Sequence, residues 1–84
     1  MKTITILKSK NGCYAYKFVP MEEPITYDGT TYGYVESLIV DGIVVCQRML
    51  EMSEINYEID LACADISDYD RVYSELYEDG EYDV

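Results

Sequence analysis

The side chains of this sequence with the greatest capacity for chemistry are the carboxylates of its C-terminal part. Residues 51–84 contain twelve acidic side chains and a single basic one, Arg71. Residues 1–50 contain five acidic and five basic side chains, so the whole formal net charge of −11 belongs to residues 51–84. Closely spaced carboxylates can transfer protons, bind divalent cations or contact a cationic surface. Their arrangement decides among these three kinds of chemistry.

Acid and base catalysis by carboxylates is not indicated. It needs two groups at a fixed separation in a cleft that shifts their pKa values, and no pair stands out among the twelve. The sequence has no histidine, which removes most catalytic triads, and it has no glycine-rich phosphate-binding motif. We therefore expect no catalytic residues, no cofactor and no enzymatic activity.

Metal binding is not indicated either. In an EF-hand loop that begins at Asp65, the sixth position is Asp70 where glycine is needed, and the twelfth is Leu76 where glutamate is needed. The three cysteines form no C-x-x-C pair, so we expect neither zinc nor a disulfide framework. The sequence predicts that they pack as small apolar residues.

The length and hydropathy of the chain indicate one small folded domain, residues 1–84. No apolar run approaches the roughly 18 residues that a membrane span requires, and the N-terminal residues do not resemble a secretion signal. We expect no membrane contact and a cytoplasmic location.

Two β-hairpins are predicted to form the scaffold. Residues 3–7 and 13–19 flank Asn11-Gly12, a predicted two-residue turn that pairs Leu7 with Tyr16 and Thr5 with Phe18. One face of this hairpin, the expected core side, carries Leu7, Tyr14, Tyr16 and Phe18. Residues 20–30, with two prolines, are predicted to be a loop. Residues 32–40 and 43–50 are predicted to form a second hairpin around Asp41-Gly42, which pairs Val40 with Ile43, Leu38 with Val45 and Tyr34 with Met49. Both faces of this second hairpin are apolar near the turn, so a helix can cover one face and a second copy the other, which makes a homodimer one candidate assembly.

The acidic residues are predicted to lie on a strand and on a helix. Residues 54–61 alternate between apolar and acidic side chains, which predicts an edge strand whose outer face carries Glu54, Glu58 and Asp60. The same carboxylates could serve only to protect that edge from aggregation. Ser67 is a suitable N-cap for a helix whose apolar stripe comprises Tyr69, Val72, Tyr73, Leu76 and Tyr77. The solvent-facing side of this predicted helix carries Asp68, Asp70, Glu75, Glu78 and Asp79.

These elements predict an α+β fold, an antiparallel sheet of four to five strands (two hairpins plus the acidic strand) with one C-terminal helix. The eight carboxylates Glu54, Glu58, Asp60, Asp68, Asp70, Glu75, Glu78 and Asp79 are the predicted partner-binding residues. Carboxylates fixed on such elements can occupy the basic groove of a nucleic-acid-binding protein. Direct nucleic-acid binding by the tyrosines is not expected, because the acidic field repels phosphate.

In size and charge, though in no alignable motif, the chain resembles the small acidic inhibitors that phages and mobile elements direct against host nucleic-acid enzymes. That group includes anti-CRISPR and anti-restriction DNA mimics. The resemblance implies a non-enzymatic inhibitor that binds the basic groove of a CRISPR effector or other defence nuclease in the host cytoplasm. The alternatives are a small acidic protein-protein interaction module or regulator, as a homodimer or not, with no link to nucleic-acid enzymes, and a solvated face that only maintains solubility.

Overall fold

The computed structural model describes residues 3–77 and has an α+β fold. Four strands form one antiparallel sheet in the order β1-β2-β3-β4, and a single long helix follows them. The elements are β1 Thr5–Lys8, β2 Tyr14–Tyr27, β3 Thr30–Val40, β4 Ile43–Glu51, a 3₁₀ turn Met52–Glu54 and α1 Ile55–Tyr77. The predicted fold class is confirmed, with four strands and one helix. Within the described residues, neither helical element is apolar over a length that could cross a bilayer.

The first hairpin has the predicted register. Thr5 pairs with Phe18 and Leu7 pairs with Tyr16. The connection is longer than a two-residue turn, because the Ser9 N–H donates to the Tyr14 carbonyl at 2.8 Å. Gly12 supplies the required positive φ of 76°.

Residues 20–30 are not a loop, contrary to the prediction. β2 continues to Tyr27 and pairs again with β3 from Ile25 onward, which makes a hairpin arm around Asp28-Gly29. The β2–β3 ladder is irregular between Pro20 and Ile25, and prolines are tolerated at such irregularities because a regular ladder hydrogen bond is not lost there. The arm extends the sheet beyond the part that the helix covers.

The second hairpin has the predicted turn and a shifted register. Val40 pairs with Ile43 as expected. Beyond an irregularity between Leu38 and Ile39, Leu38 pairs with Cys46 and Tyr34 pairs with Leu50, one residue away from the predicted partners. The shift places Leu50, which is 3% exposed, in the core.

The predicted acidic strand at residues 54–61 is wrong, because these residues are helical. They belong to the 3₁₀ turn and the first turns of α1. Ile55 and Ile59 satisfy both a two-residue and a helical period, and Ala62 and Ile66 continue only the helical one. The helical period decides the outcome, because both Ala62 and Ile66 are buried against the sheet.

The helix is consequently thirteen residues longer at its N-terminal end than a helix capped by Ser67 would be, and Ser67 lies inside it. The residues Glu78, Asp79 and Gly80, the last predicted to end the helix, lie outside the described residues. Gly33 allows Met52 to pack closely where the chain turns from β4 into α1, since a Cβ at Gly33 would lie 2.3 Å from Met52 Cγ.

The core lies between α1 and one face of the sheet. Phe18, Leu50 and Ala62 form its buried centre, and Leu7 and Tyr16 pack around it. The prediction that the aromatic face of the first hairpin faces the core is confirmed. From the end of β4, α1 crosses this face to the tip of the β1–β2 hairpin, so the helix has one side against the sheet and one side toward solvent.

Candidate functional site

The structure divides the eight predicted partner-binding carboxylates into three groups. Four are exposed: Glu54, Asp60, Asp68 and Glu75. Two are half-buried, Glu58 beside β4 and Asp70 beside the β1–β2 turn. The last two, Glu78 and Asp79, lie outside the described residues. Because residues 54–61 are helical, Glu58 and Asp60 project to nearly opposite sides, and the predicted row of acids on one strand does not exist.

Glu58 contributes to a structural ion-pair cluster. Arg48 donates from Nε to Glu36 Oε2 at 2.7 Å and from Nη2 to Glu58 Oε1 at 2.7 Å. Glu36 is 7% exposed, so Arg48 balances a carboxylate that the sheet and helix have removed from water. The hydrogen bond to Glu36, with the nearby charge of Glu58, raises the pKa of Arg48. Glu58 therefore helps to fasten α1 to β4.

Asp65 and Asp70 fasten the middle of α1 to the first hairpin. The hydroxyls of Tyr14 and Tyr16 both donate to Asp65 Oδ2 at 2.5 Å. Burial and then the hydrogen bond to Asp65 raise the pKa of Tyr16, and the same two causes raise the pKa of Tyr14. The Lys10 N–H donates to Asp70 Oδ1 at 2.9 Å. Asp65 is not among the eight predicted residues, although its position seven residues after Glu58 places both on one side of a helix.

The remaining exposed acids of α1 form its outer face, which we define as Asp60, Asp68 and Glu75. Arg71 contacts two of them, with Nη2 3.8 Å from Asp68 Oδ1 and Nη1 2.8 Å from Glu75 Oε2. The side chains of Asp68 and Glu75 are 73% and 62% exposed, so these contacts are open to water. Exposed ion pairs of this kind contribute roughly 0–1 kcal/mol and are weakened by salt. A cationic side chain of a partner can therefore replace Arg71 in its contacts with the outer face.

A groove lined by tyrosines lies beside the outer face. The rings of Tyr14 and Tyr69 are parallel, with centroids 4.7 Å apart, and Tyr73 and Tyr77 continue the series along α1 at 6.1 Å and 4.8 Å. The tyrosine groove has a volume of about 590 Å³ and is lined by Tyr14, Asp65, Asp68, Tyr69, Val72, Tyr73, Leu76 and Tyr77.

Only part of the predicted apolar stripe of the helix is thus buried in the fold. Tyr69 and Tyr73 are half-buried, whereas Val72, Leu76 and Tyr77 are 44%, 48% and 68% exposed. Aromatic faces beside carboxylates bind guanidinium and ammonium groups through cation–π and ionic contacts. The groove and the outer face together suit a cationic protein surface.

The cysteines are not packing residues, contrary to the prediction. Cys46 and Cys63 are exposed and Cys13 is half-buried, and all three are free. The pKa of Cys13 is raised, chiefly by its hydrogen bond with Asp41, which disfavours the nucleophilic thiolate. Within residues 3–77, no group of three or more histidine, cysteine or acidic side chains is arranged to hold a metal ion.

Comparisons of the chain with family models, with curated proteins and with solved structures found no match.

Proposed function

We propose that this protein is a non-enzymatic inhibitor that binds the basic nucleic-acid groove of a protein partner, a CRISPR effector or another defence nuclease, by imitating phosphate charge. The observation that supports the proposal is the fixed position of its exposed acids. Glu54 and the outer face Asp60, Asp68 and Glu75 are carried by the 3₁₀ turn and one continuous helix. At 1.5 Å per residue they extend over roughly 32 Å.

The length and the negative charge of this surface support the proposal more than the distances between its neighbouring carboxylates do. A length of roughly 32 Å corresponds to about nine base pairs of duplex DNA at 3.4 Å each. Asp68 and Glu75 are about 10 Å apart along the axis, which is wider than the spacing of successive phosphates. The surface thus resembles DNA in extent and charge rather than phosphate by phosphate. A rigid helix also loses little conformational entropy when it binds.

The tyrosine groove supplies the contact area that charge alone lacks. Tyrosine is enriched among the residues that dominate binding energy at protein interfaces. Basic grooves are rich in arginine, which both pairs with carboxylates and stacks on aromatic rings. Asp68 lies at the junction, since it lines the groove and contacts Arg71 on the outer face. The two surfaces therefore form one binding region on α1.

Displacement by DNA tests the proposal. The immobilised protein captures basic proteins from a host lysate, and the column is then eluted with short duplex DNA at constant salt. We expect the specifically bound partner to elute with DNA, and its affinity to fall steeply with ionic strength because the contacts are ionic. Retention of every bound protein in excess DNA would contradict the proposal.

A second candidate is a protein-protein interaction module with no link to nucleic-acid enzymes. The exposed apolar part of the tyrosine groove favours it, because Val72 and Tyr77 are not needed to cover the sheet. For this candidate we expect Val72→Ser with Tyr77→Ser to abolish partner binding, and excess DNA to leave binding unchanged. Elution of the partner by DNA would reject it, because the groove belongs to the binding region in both candidates and only the DNA competition differs between them.

A further inference from the structure

The two edges of the sheet differ in how they are protected from pairing with another strand. β1 has four residues and ends at Lys8, and its Leu7 packs in the core under α1. β4 has nine residues, contains no proline or lysine, and residues 43–49 are all exposed. Natural edge strands are usually short or carry lysine, proline or inward charges that prevent pairing. β1 has such protection and β4 has almost none.

The exposed part of β4 is strongly apolar. Ile43, Val44 and Val45 are 65%, 51% and 56% exposed, and Met49 is 48% exposed. Arg48, the one basic residue of β4, is held by Glu36 and Glu58. Within residues 3–77, β3 is the only strand that pairs with β4, so residues 43–47 present an uncharged row of side chains beside an open hydrogen-bonding edge.

We propose that β4 pairs antiparallel with β4 of a second copy of this chain. The two four-stranded sheets then form one continuous sheet of eight strands around a twofold axis. An antiparallel pair of identical strands is self-complementary, because each copy gives the other the same donors, acceptors and apolar side chains.

Charge favours a second copy at β4 over contact at any surface of α1. Each copy has a net charge of −11, all of it from residues 51–84, so two copies repel each other wherever their helices meet. Residues 43–50 of β4 lie in the neutral part of the sequence, and the uncharged residues 43–47 are the end of the strand away from α1. Two copies can approach there with the least repulsion.

The position of α1 leaves this approach open and fixes the geometry of the pair. The helix reaches β4 near Arg48 and Leu50, at the end of the strand opposite Ile43. A twofold axis perpendicular to the sheet keeps both helices on one side of it. The pair then presents two outer faces in the same direction. The pairing itself depends only on β4, so it stands or fails independently of the proposed inhibitor function.

Sedimentation analysis of the full chain and two lysine variants tests the pairing. Val44→Lys adds a charge to the β4 edge, and Ile25→Lys adds the same charge at a residue of similar exposure, 48%, on the β2–β3 arm. We expect the wild-type chain and Ile25→Lys to sediment at about twice the chain mass of 9.7 kDa, and Val44→Lys at the chain mass. A monomeric wild-type chain, or a Val44→Lys variant that remains dimeric, would overturn the pairing. A helical circular dichroism spectrum shows that each variant is folded.

Thiol cross-linking locates the contact without altering the apolar residues. Two further variants each retain a single cysteine and have the other two changed to serine. One retains Cys46 in β4 and the other retains Cys63 in α1, and both of these cysteines are exposed. We expect a short bismaleimide to give a covalent dimer of the Cys46 variant and only trace dimer of the Cys63 variant. Equal cross-linking of both, or dimer from Cys63 alone, would contradict pairing at β4. A monomer whose β4 instead captures an extended segment of another protein would give no cross-linked dimer of itself.

Discussion

Two arginines in this molecule each contact two carboxylates, and they differ in what surrounds those carboxylates. The partners of Arg48 are the side chains of Glu36 and Glu58, which are 9% and 17% exposed. The partners of Arg71 are Asp68 and Glu75, which are 73% and 62% exposed. The same chemistry therefore stabilises the fold at one site and leaves charge available to a partner at the other.

The contrast extends to the other acids of the C-terminal part. On the sheet side of α1, Glu58, Asp65 and Asp70 have fixed partners in β4 and in the first hairpin. On the outer face, the contacts of Asp68 and Glu75 are with Arg71 of the same helix. Net charge alone does not separate these roles. The position of each acid around the helix does.

The largest expected effect comes from removal of Arg48. Arg48→Met leaves Glu36 buried without a counter-charge, and we predict a loss of about 2.5 kcal/mol in the free energy of unfolding, less than for a fully buried pair because Arg48 is half exposed. Arg71→Met is the matched control, with a predicted change within about 0.5 kcal/mol. Urea denaturation measures both, and equal losses would abolish the distinction between the two arginines.

Removal of Asp65 is predicted to have the next largest effect. Asp65→Ala deletes the acceptor of the Tyr14 and Tyr16 hydroxyls, and hydrogen bonds to a charged group of this kind support a loss of about 1.5 kcal/mol. Asp68→Ala, three residues along the same helix, is expected to change stability by less than about 0.5 kcal/mol. Equal losses in the free energy of unfolding for Asp68→Ala and Asp65→Ala would contradict the distinction between the two sides of the helix.

The contacts of Tyr14 and Tyr16 with Asp65 also predict that the free energy of unfolding falls at alkaline pH. In the unfolded chain, Tyr14 and Tyr16 ionise near the ordinary tyrosine pKa of about 10, whereas their pKa values in the folded protein are higher. The folded state therefore retains protons that the unfolded state has lost. Stability is fully present below about pH 10 and declines above it, by about 1 kcal/mol per pH unit for each such group.

A single substitution isolates this effect. Tyr16→Phe should make the decline in unfolding free energy between pH 10 and 11 shallower. Tyr27→Phe, at a residue that is 73% exposed, should leave the slope of the wild-type protein unchanged. The slopes come from urea denaturation at several pH values, and identical slopes in all three proteins would argue against the tyrosine contacts with Asp65.

The sequence was sufficient for the turns of two hairpins and insufficient for the β2–β3 arm, the register of β4 and the start of the helix. Asn11-Gly12 and Asp41-Gly42 are strong turn signals, and the strands beside them follow from local pattern. Residues 54–61 satisfy a strand period and a helix period together, and the burial of Ala62 and Ile66 in the following turns resolves the ambiguity in favour of the helix.

Two features of the site depended on contacts between distant residues. The acceptor role of Asp65 requires Tyr14 and Tyr16, which are 51 and 49 residues away in sequence. The register of β4 depends on the irregularity beside Leu38, which no turn residue marks. Long-range geometry of this kind is not encoded in local periodicity, so the sequence could predict the acidic surface but not which of its acids are committed to the fold.

The smallest expected effect on stability comes from neutralising the outer face. The helix variant Asp60→Asn, Asp68→Asn, Glu75→Gln removes three negative charges from exposed positions. We predict a change within about 0.5 kcal/mol in the free energy of unfolding, because lost ion pairs with Arg71 are offset by reduced repulsion. A loss above about 2 kcal/mol in urea denaturation would place these acids among the structural ones.

Partner affinity of the helix variant, compared with a sheet variant of equal charge, tests the central claim most directly. The sheet variant Glu23→Gln, Asp28→Asn, Asp41→Asn also removes three charges, and asparagine tolerates the positive φ of 51° and 53° at residues 28 and 41. For the DNA-displaceable partner, we predict at least about a tenfold loss of affinity for the helix variant, equivalent to about 1.4 kcal/mol, and less than about a threefold loss for the sheet variant. Equal losses would show that net charge, rather than the outer face of α1, binds the partner.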